Sequence, residues 1–480
     1  MAGKARAAMP VSIGWASGSI TPEGPVLLDG QFHARVSERV NDPLTVTALA
    51  LEREDEPGAR VIFVSCDMVG VTADVLERVR KGLAQRLSDF DPRHLILSAT
   101  HTHTAMVLDM DKYPLPTDEI MTPDECADMF VDRVADVAAE AWGALRPGGV
   151  SWAFAQAVVG HNRRAVFADG SAKMYADTST PDFESIEGYE DNSVDLLYTF
   201  DEREKLTGMI VNLACPSQET EGERFVSADF WHEARAEIRS HVGDGVFVLP
   251  QCAPAGDQSP HLLFNKDLER VMRERRGLTS RQEIGRRIAR AVVDGLEGAR
   301  RDVRWDLPLA HHVERLPLPR RMVTDEEREQ ALSEIAALEA DTEIEASQKQ
   351  SFLRRNRRVL ARYEAQAAEP HLSVDLHVLR LGDAAFATNP FELFLDYGTR
   401  IKARSAALQT FCIQLTCGSS GYLPTTKAVQ ARPHVKDKAK LGFSCNYGAG
   451  VASNQVGPEG GQLLADRTVE RIREMWQAAE

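Results

Sequence analysis

Arg60-Val61-Ile62-Phe63-Val64-Ser65-Cys66 is a nearly unbroken apolar run that stops at Asp67, and His94 to Ala99 repeats the pattern. A strand with one wet face alternates; a run of this kind is what a strand covered on both faces requires. Between the two, Thr72 stands where it can cap a helix reaching about Leu87. Beyond them, Asp124 to Leu145 reads as a long amphipathic helix, apolar at Met129, Val131, Val134, Val137 and Ala138. Strand then helix, twice over, indicates an α/β core.

The rest of the chain keeps this texture. Thr45 to Glu52 alternates as a strand after the turn Asn41-Asp42-Pro43-Leu44, and Val194 to Phe200 and Leu206 to Leu213 flank the turn Asp201-Glu202. A helix over Ala228 to His241, a buried strand at Val246 to Pro250 and a helix over Leu278 to Leu296 follow. Leu372 to Leu381, Ala384 to Thr388 and Phe411 to Leu415 read as strands, Phe391 to Ala406 and Gly460 to Ala478 as helices. Asp325 to Glu364 differs, being dominated by Glu, Arg, Ala and Gln with apolar residues at Leu332, Ile335, Leu338, Leu353, Val359 and Leu360. It predicts an antiparallel helical hairpin inserted over 322–368, better explained as a solvated excursion than as a partner-binding arm. With no internal repeat or low-complexity linker, residues 1–480 are expected to form one catalytic domain. Its fold is expected to be a mixed-sheet, sandwich-like α/β arrangement flanked by helices.

Charge narrows the function. Asp and Glu number 72 against 56 Lys and Arg, for a net charge of −16. Such a surface repels phosphate backbones and anionic lipid heads, which argues against nucleic acid or a membrane as partner. No window approaches the ~18 apolar residues of a spanning helix, and Met1 to Ala8 has no apolar stretch behind it. The cysteines Cys66, Cys126, Cys215, Cys252, Cys412, Cys417 and Cys445 are odd in number, scattered and without a CxxC pair, which fits free thiols. A soluble cytoplasmic protein is the expectation, with a homo-oligomer left open.

The sharpest chemical signal is Ser98-Ala99-Thr100-His101-Thr102-His103-Thr104 at the end of the second buried strand. Side chains two apart on a strand share a face, so two imidazoles there converge on one point beyond the sheet edge. Strand carboxyl ends are where open α/β sheets place their sites, and Asp67 ends the neighbouring strand at the same edge. A second buried strand runs into Gln251-Cys252-Ala253-Pro254-Ala255-Gly256-Asp257-Gln258-Ser259-Pro260-His261, a loop of small residues holding Asp, Ser and His. Read alone, that loop is a capped turn. Asn389-Pro390-Phe391-Glu392, Gly418 to Thr425 and His161-Asn162-Arg163-Arg164 are each weak by themselves.

Together, in this order and spacing, these segments resemble the neutral (non-lysosomal) ceramidase family. The likeness begins at Ile13-Gly14-Trp15-Ala16-Ser17-Gly18-Ser19-Ile20-Thr21-Pro22 and continues through Asn41 to Leu44, the His-x-His segment, Asn162-Arg163, Gly256-Asp257-Gln258-Ser259-Pro260, Pro390-Phe391-Glu392 and Gly421-Tyr422 to Tyr447. The resemblance implies one catalytic zinc held by His101, Glu392 and the phenol oxygen of Tyr422. It implies His103 as the acid/base group, Arg163 and Tyr447 against the substrate carbonyl or oxyanion, and Ser259 beside the zinc-bound water. Asp67, Asp257 and His261 would support these groups from behind. The family takes a further His ligand from an Ala-x-His segment, and that place here reads Leu213-Ala214-Cys215-Pro216-Ser217-Gln218-Glu219. His232, in the helix that follows, is the replacement expected, with Cys215 as the alternative. The family's carboxy-terminal immunoglobulin-like domain is not expected within this sequence.

The function implied is zinc-dependent hydrolysis of an amide or related bond in a small polar or anionic substrate, with metal-bound water as nucleophile. Two other readings stand beside it: a carbohydrate-active lyase or glycosidase on the same metal scaffold, and a metal-free binding homologue without catalysis.

Overall fold

The structure is a computed structural model that describes residues 10–56, 58–116, 119–433 and 446–477; Met1 to Ala8, Cys445 and Ala478 lie outside the described residues. Strands β1 (Ser12–Ser19), β2 (Thr45–Glu52) and β3 (Arg60–Cys66) pair antiparallel in turn. Helix α1 (Ala73–Arg86), capped by Thr72, then returns the chain so that β4 (Leu95–Ala99) lies parallel to β3, and α2 (Pro123–Gly143) packs beside α1.

The next stretch follows the same path. β5 (Gly149–Gln156), β6 (Ser193–Phe200) and β7 (Leu206–Leu213) are antiparallel neighbours. α3 (Phe230–Val242) leads into β8 (Phe247–Cys252), parallel to β7, and α4 (Ser280–Ala299) lies against α3. The path then recurs around an insertion: β9 (Leu309–Pro319), the hairpin α5 (Asp325–Ala340) and α6 (Ala346–Ala365), β10 (His371–Leu381), β11 (Ala384–Thr388) and the two-residue β12 (Glu392–Leu393). After α7 (Leu395–Arg404) come β13 (Gln409–Ile413), parallel to β11, the two-residue β14 (Tyr422–Leu423) and α8 (Pro458–Gln477). These three sheets, among the eight that the described residues form, thus share one topology, two antiparallel pairings and then a parallel one across a helix. The sequence shows no repeat, so this threefold path is carried by topology alone.

Period-two alternation decides which side each residue faces. In β2 and β3, Val46, Ala48, Ala50, Ile62 and Val64 face α1 and α2, whereas Leu49, Leu51, Val61 and Phe63 face inward. β6 sends Leu196, Tyr198 and Phe200 toward α3 and α4 and Leu197 inward. The inward residues of all three sheets, including Leu379, Phe386 and Phe411, form one shared central core. At about 25 cal/mol per Å² of buried apolar surface, such a core dominates the favourable side of folding. The fold is therefore α/β, with these three mixed sheets each covered on the outer face by helices.

Two departures from the expected elements have local causes. The helix expected from Phe391 starts at Leu395, because Glu392 N–H donates to Gly421 O (2.9 Å) and Phe394 N–H to Leu423 O (3.2 Å), which ties the segment to β14 instead. β9 escaped notice because Pro317 and Pro319 interrupt it; it is an edge strand, the one place a sheet tolerates proline.

The hairpin is not a solvated excursion. The Ser347 hydroxyl accepts from Ala34 N–H (2.8 Å), Phe352 packs on Phe32 (ring centroids 6.0 Å apart), and Val359 joins Val323, Ala331 and Val451 in a small core. Arg362 donates to the carbonyls of Val451, Asn454 and Arg321 at 2.8–3.0 Å. A composition rich in arginine reads as solvated, but here guanidinium groups satisfy backbone carbonyls that would otherwise be stranded.

Candidate active site

The carboxyl ends of the three parallel pairs meet at one place. Cys417 N–H donates to Leu97 O (2.8 Å), Gln414 N–H to Cys252 O (3.0 Å), and Ser217 N–H to Thr100 O (3.2 Å). A cavity of about 770 Å³ opens above this junction, with His101, His103, Glu392, Tyr422 and Tyr447 among its lining residues and α6 as one wall.

The histidines do not converge by sharing a strand face, since β4 ends at Ala99. His101 instead adopts a left-handed backbone (φ 66°), which turns its ring edge-on to that of His103 at 4.7 Å between centroids. A side-chain-bearing residue held there stores on the order of 1–3 kcal/mol of strain, a pattern that clusters at functional sites. His101 Nδ1 lies 2.7 Å from Val69 O. A carbonyl only accepts, so Nδ1 carries the proton, and it is Nε2 that offers a lone pair in the neutral form of the ring. That lone pair faces Glu392 Oε2 at 3.5 Å. Two acceptors so placed repel unless a proton or a cation lies between them. Burial raises the Glu392 carboxyl, yet the neighbouring His101, the Tyr422 hydroxyl and the charge of Arg163 leave it below its ordinary value, so it is ionised at neutral pH.

Tyr422 stands directly across from Glu392 in the β12–β14 pairing, which puts phenol and carboxylate side by side. Its hydroxyl lies 2.9 Å from that of Tyr447 and accepts from Arg163 (3.2 Å). His101, Glu392 and Tyr422, far apart in the chain, therefore share one floor.

His103 sits under Gly30, whose φ is +98° and where an added Cβ would stand 2.5 Å from the imidazole Cγ. Burial lowers the His103 pKa, so the ring is neutral near pH 7. Its Nδ1 is 3.3 Å from Glu221 Oε2, and both ring nitrogens are buried with no hydrogen bond of good geometry among the described residues. Glu221 was not anticipated from sequence; it also approaches His261 (3.7 Å), whose other nitrogen is 3.5 Å from Glu219. Tyr175, likewise missed, accepts from Arg163 (2.6 Å) and Gln218 and donates to Ser259 Oγ (3.4 Å).

Several expected residues stand behind the cleft rather than in it. Arg163 is buried, with its donors on Tyr175, Tyr422 and Gly256 O (2.8 Å), so it touches the site's phenols and is absent from the cavity wall. The Ser259 hydroxyl also accepts from His261 N–H (3.1 Å), and Ser259 is fully buried in a short pairing with His161. Asp257 accepts from Leu395 N–H (3.0 Å) and Asn162 (3.1 Å), clamping the start of α7. Asp67 forms a buried bidentate pair with Arg235 (2.8 and 3.0 Å). Neither candidate for the extra ligand lines the cleft. His232 lies in the first turn of α3, a helix whose buried residues, Phe230, Trp231 and Ala234 among them, pack on the second sheet. Cys215 is buried with Sγ donating to Val159 O (3.4 Å), and burial drives its thiol pKa well up, which disfavours a thiolate. That segment instead leaves Ser217 Oγ and Gln218 Oε1 buried without hydrogen-bond partners among the described residues. The six described cysteines are all free and buried.

Among the described residues no group of three His, Cys, Asp or Glu side chains is arranged to hold a metal ion. The floor is a different donor set: one imidazole with its tautomer fixed, one carboxylate and one phenol. These nitrogen and oxygen donors, with a lone pair opposed to a carboxylate, fit a borderline cation such as zinc.

Fold and cleft together define a class: an α/β domain with three helix-backed sheets whose strand ends build a polar site. Among solved structures, the fold is that of the neutral ceramidases. It is similar to neutral ceramidase from Pseudomonas aeruginosa, with a TM-score of 0.67 and 16% identity over 97% of this chain and 75% of that one. It is equally similar to a ceramidase complexed with C2, with a TM-score of 0.67 and 16% identity over 98% and 76% of the two chains. No protein-family model and no curated protein matches the sequence.

Proposed function

We propose that this chain is a metal-dependent hydrolase that cleaves an amide bond in a small polar substrate. The observation that carries this reading is His101 Nε2 opposed to ionised Glu392, with Tyr422 paired alongside. The fold shared with ceramidases supports an amide as the scissile bond. His101, Glu392 and Tyr422 would hold the ion, and zinc is the identity their donor chemistry favours. Zinc bound there would act as a Lewis acid, polarising the amide carbonyl and lowering the pKa of water toward ~7.

The remaining steps belong to the protein's own residues. His103, neutral and with Nε2 free, takes the proton from the attacking water and returns it to the leaving nitrogen. Glu221 faces Nδ1 at 3.3 Å, where its charge favours the tautomer in which Nε2 accepts. Tyr447 presents its hydroxyl beside that of Tyr422, where it can donate to the developing oxyanion. Arg163 acts through the phenols it contacts, holding Tyr422 and Tyr175 in place.

Elemental analysis of the purified protein and of His101→Ala and Glu392→Gln, together with hydrolysis of short N-acyl amides in ¹⁸O-labelled water, tests this reading. One zinc per chain, its loss in both variants and label in the released carboxylate are expected. Metal content indifferent to both variants, or an unsaturated product in place of a labelled acid, overturns it.

A further inference from the structure

We infer that α6 makes the cleft a receptor for an anionic group on the substrate, a carboxylate or sulfate, with Arg355 and Arg358 as the residues that select it. The inference deepens the amide-hydrolase reading, on which it rests only for where the scissile bond lies.

The first ground is charge placement. Arg354, Arg355, Arg358 and Arg362 line the cavity from one helix, and Lys112 and Arg320 bring the cations to six against three carboxylates. The chain as a whole carries −16, so the cleft reverses the sign of the molecule around it. Spacings of three, four and eight residues put these arginines on one helical face. A concave site lined by one sign of charge concentrates ligands of the other.

The second ground is what each guanidinium already does. Arg354 is paired with Asp109 (2.6 Å) and Arg362 with backbone carbonyls, which accounts for both as structural groups. Arg358 is exposed at the rim and makes no ion pair among the described residues. Arg355 donates to Ser453 Oγ (3.0 Å) and lies 5.2 and 5.9 Å from the ring centroids of Phe32 and Tyr447. The Tyr447 hydroxyl is 2.9 Å from that of Tyr422, so Arg355 stands one ring from the catalytic floor. Like charges packed this closely repel one another: partial desolvation at the rim together with Arg354 and Arg355 pulls the Arg358 pKa down, against the opposing charges of Asp109 and Asp111. An anion bridging Arg355 and Arg358 relieves that repulsion; two neutral acyl chains do not.

The test is calorimetric binding to the metal-loaded protein of N-acetylglutamate, its neutral diamide and inorganic sulfate, against Arg358→Gln and Arg355→Gln. N-acetylglutamate should bind, sulfate should compete with it, and the diamide should bind more weakly. Each variant should weaken the anionic probe about ten- to a hundredfold, the range for loss of one charge-assisted hydrogen bond, and leave the diamide unchanged. Arg358→Gln, at the exposed rim, serves as the variant that does not disturb folding, so its result decides if Arg355→Gln melts early. Failure of both anions to bind, equal binding in both variants, or tighter binding of a neutral short-chain ceramide overturns the inference. Arginine-dependent binding without amide cleavage would overturn the hydrolase reading and leave this one standing. Cleavage of neutral amides indifferent to both arginines would do the reverse.

Discussion

β3 and β4 run between two clusters of three histidines, and the two ends could hardly differ more. At the amino end, His311 Nδ1 faces Arg60 O (3.2 Å) and its Nε2 faces His377 Nδ1 (3.1 Å), with His94 tilted against His311 at 4.9 Å between centroids. The chain of partners fixes two of the protons: the carbonyl takes one from His311, whose other nitrogen takes one from His377. Burial holds all three rings below the ordinary histidine value, His377 down to about 3. At the carboxyl end, His101, His103 and His261 face Glu392, Glu221 and Glu219, and His101, His103 and Glu392 line an open cavity. What makes an imidazole reactive is therefore neither company nor an unanswered lone pair, which His377 Nε2 has too, but a carboxylate within reach and room for a substrate.

This contrast can be broken by substitution. His103→Ala should reduce amide turnover about 10²- to 10⁴-fold, the usual contribution of a general acid/base, with unchanged melting temperature and metal content. Melting that fell in step with activity would mean the carboxyl-end cluster is structural too. Asp67→Asn probes the same end from below. It should destabilise the fold by about 3–5 kcal/mol, because Arg235 is left buried and unpaired, and denaturant titration would show it. His377→Ala, at the opposite end, should lose about 1–3 kcal/mol by stranding His311 Nε2, while turnover per folded molecule stays the same. Changed turnover there would erase the distinction between the two ends.

The effect smallest per step concerns acid. The unfolded chain protonates His377 near its ordinary 6.5, whereas the folded chain resists down to about 3. Between those values the unfolded state binds more protons, so stability is whole above about pH 6.5 and falls as the pH drops toward 3. The slope from this one group is on the order of 1 kcal/mol per pH unit. Stability curves of the parent and of His377→Ala should converge on acidification; parallel curves would mean that His377 protonates while folded.

Much of the fold was legible because local patterns and tertiary placement agree. Arg60–Cys66 and Ala384–Thr388 form strands over the expected residues, since runs that must be covered on both faces have little freedom elsewhere. His101, Glu392 and Tyr422 were legible as a set through the order of their motifs, not through the strand geometry first invoked for the histidines. That geometry fails at Ala99, where the strand ends and a left-handed residue does the aiming. Glu221, Tyr175 and Arg355 left no local mark. Each gains its place from contacts far along the chain, such as Tyr175 with Gln218 and Arg355 with Phe32. The hairpin misled for a related reason: arginine counts reveal charge but not whether a carbonyl is waiting for it.

Gly30 draws one further consequence. The imidazole below it occupies space that a single methyl group would claim, on a backbone angle that only glycine adopts freely. The proton-moving ring is thus located by an atom the chain leaves out. Replacing Gly30 with alanine would displace that ring with every ligand, acid and base still encoded, which makes a non-catalytic loop residue a gatekeeper of the chemistry.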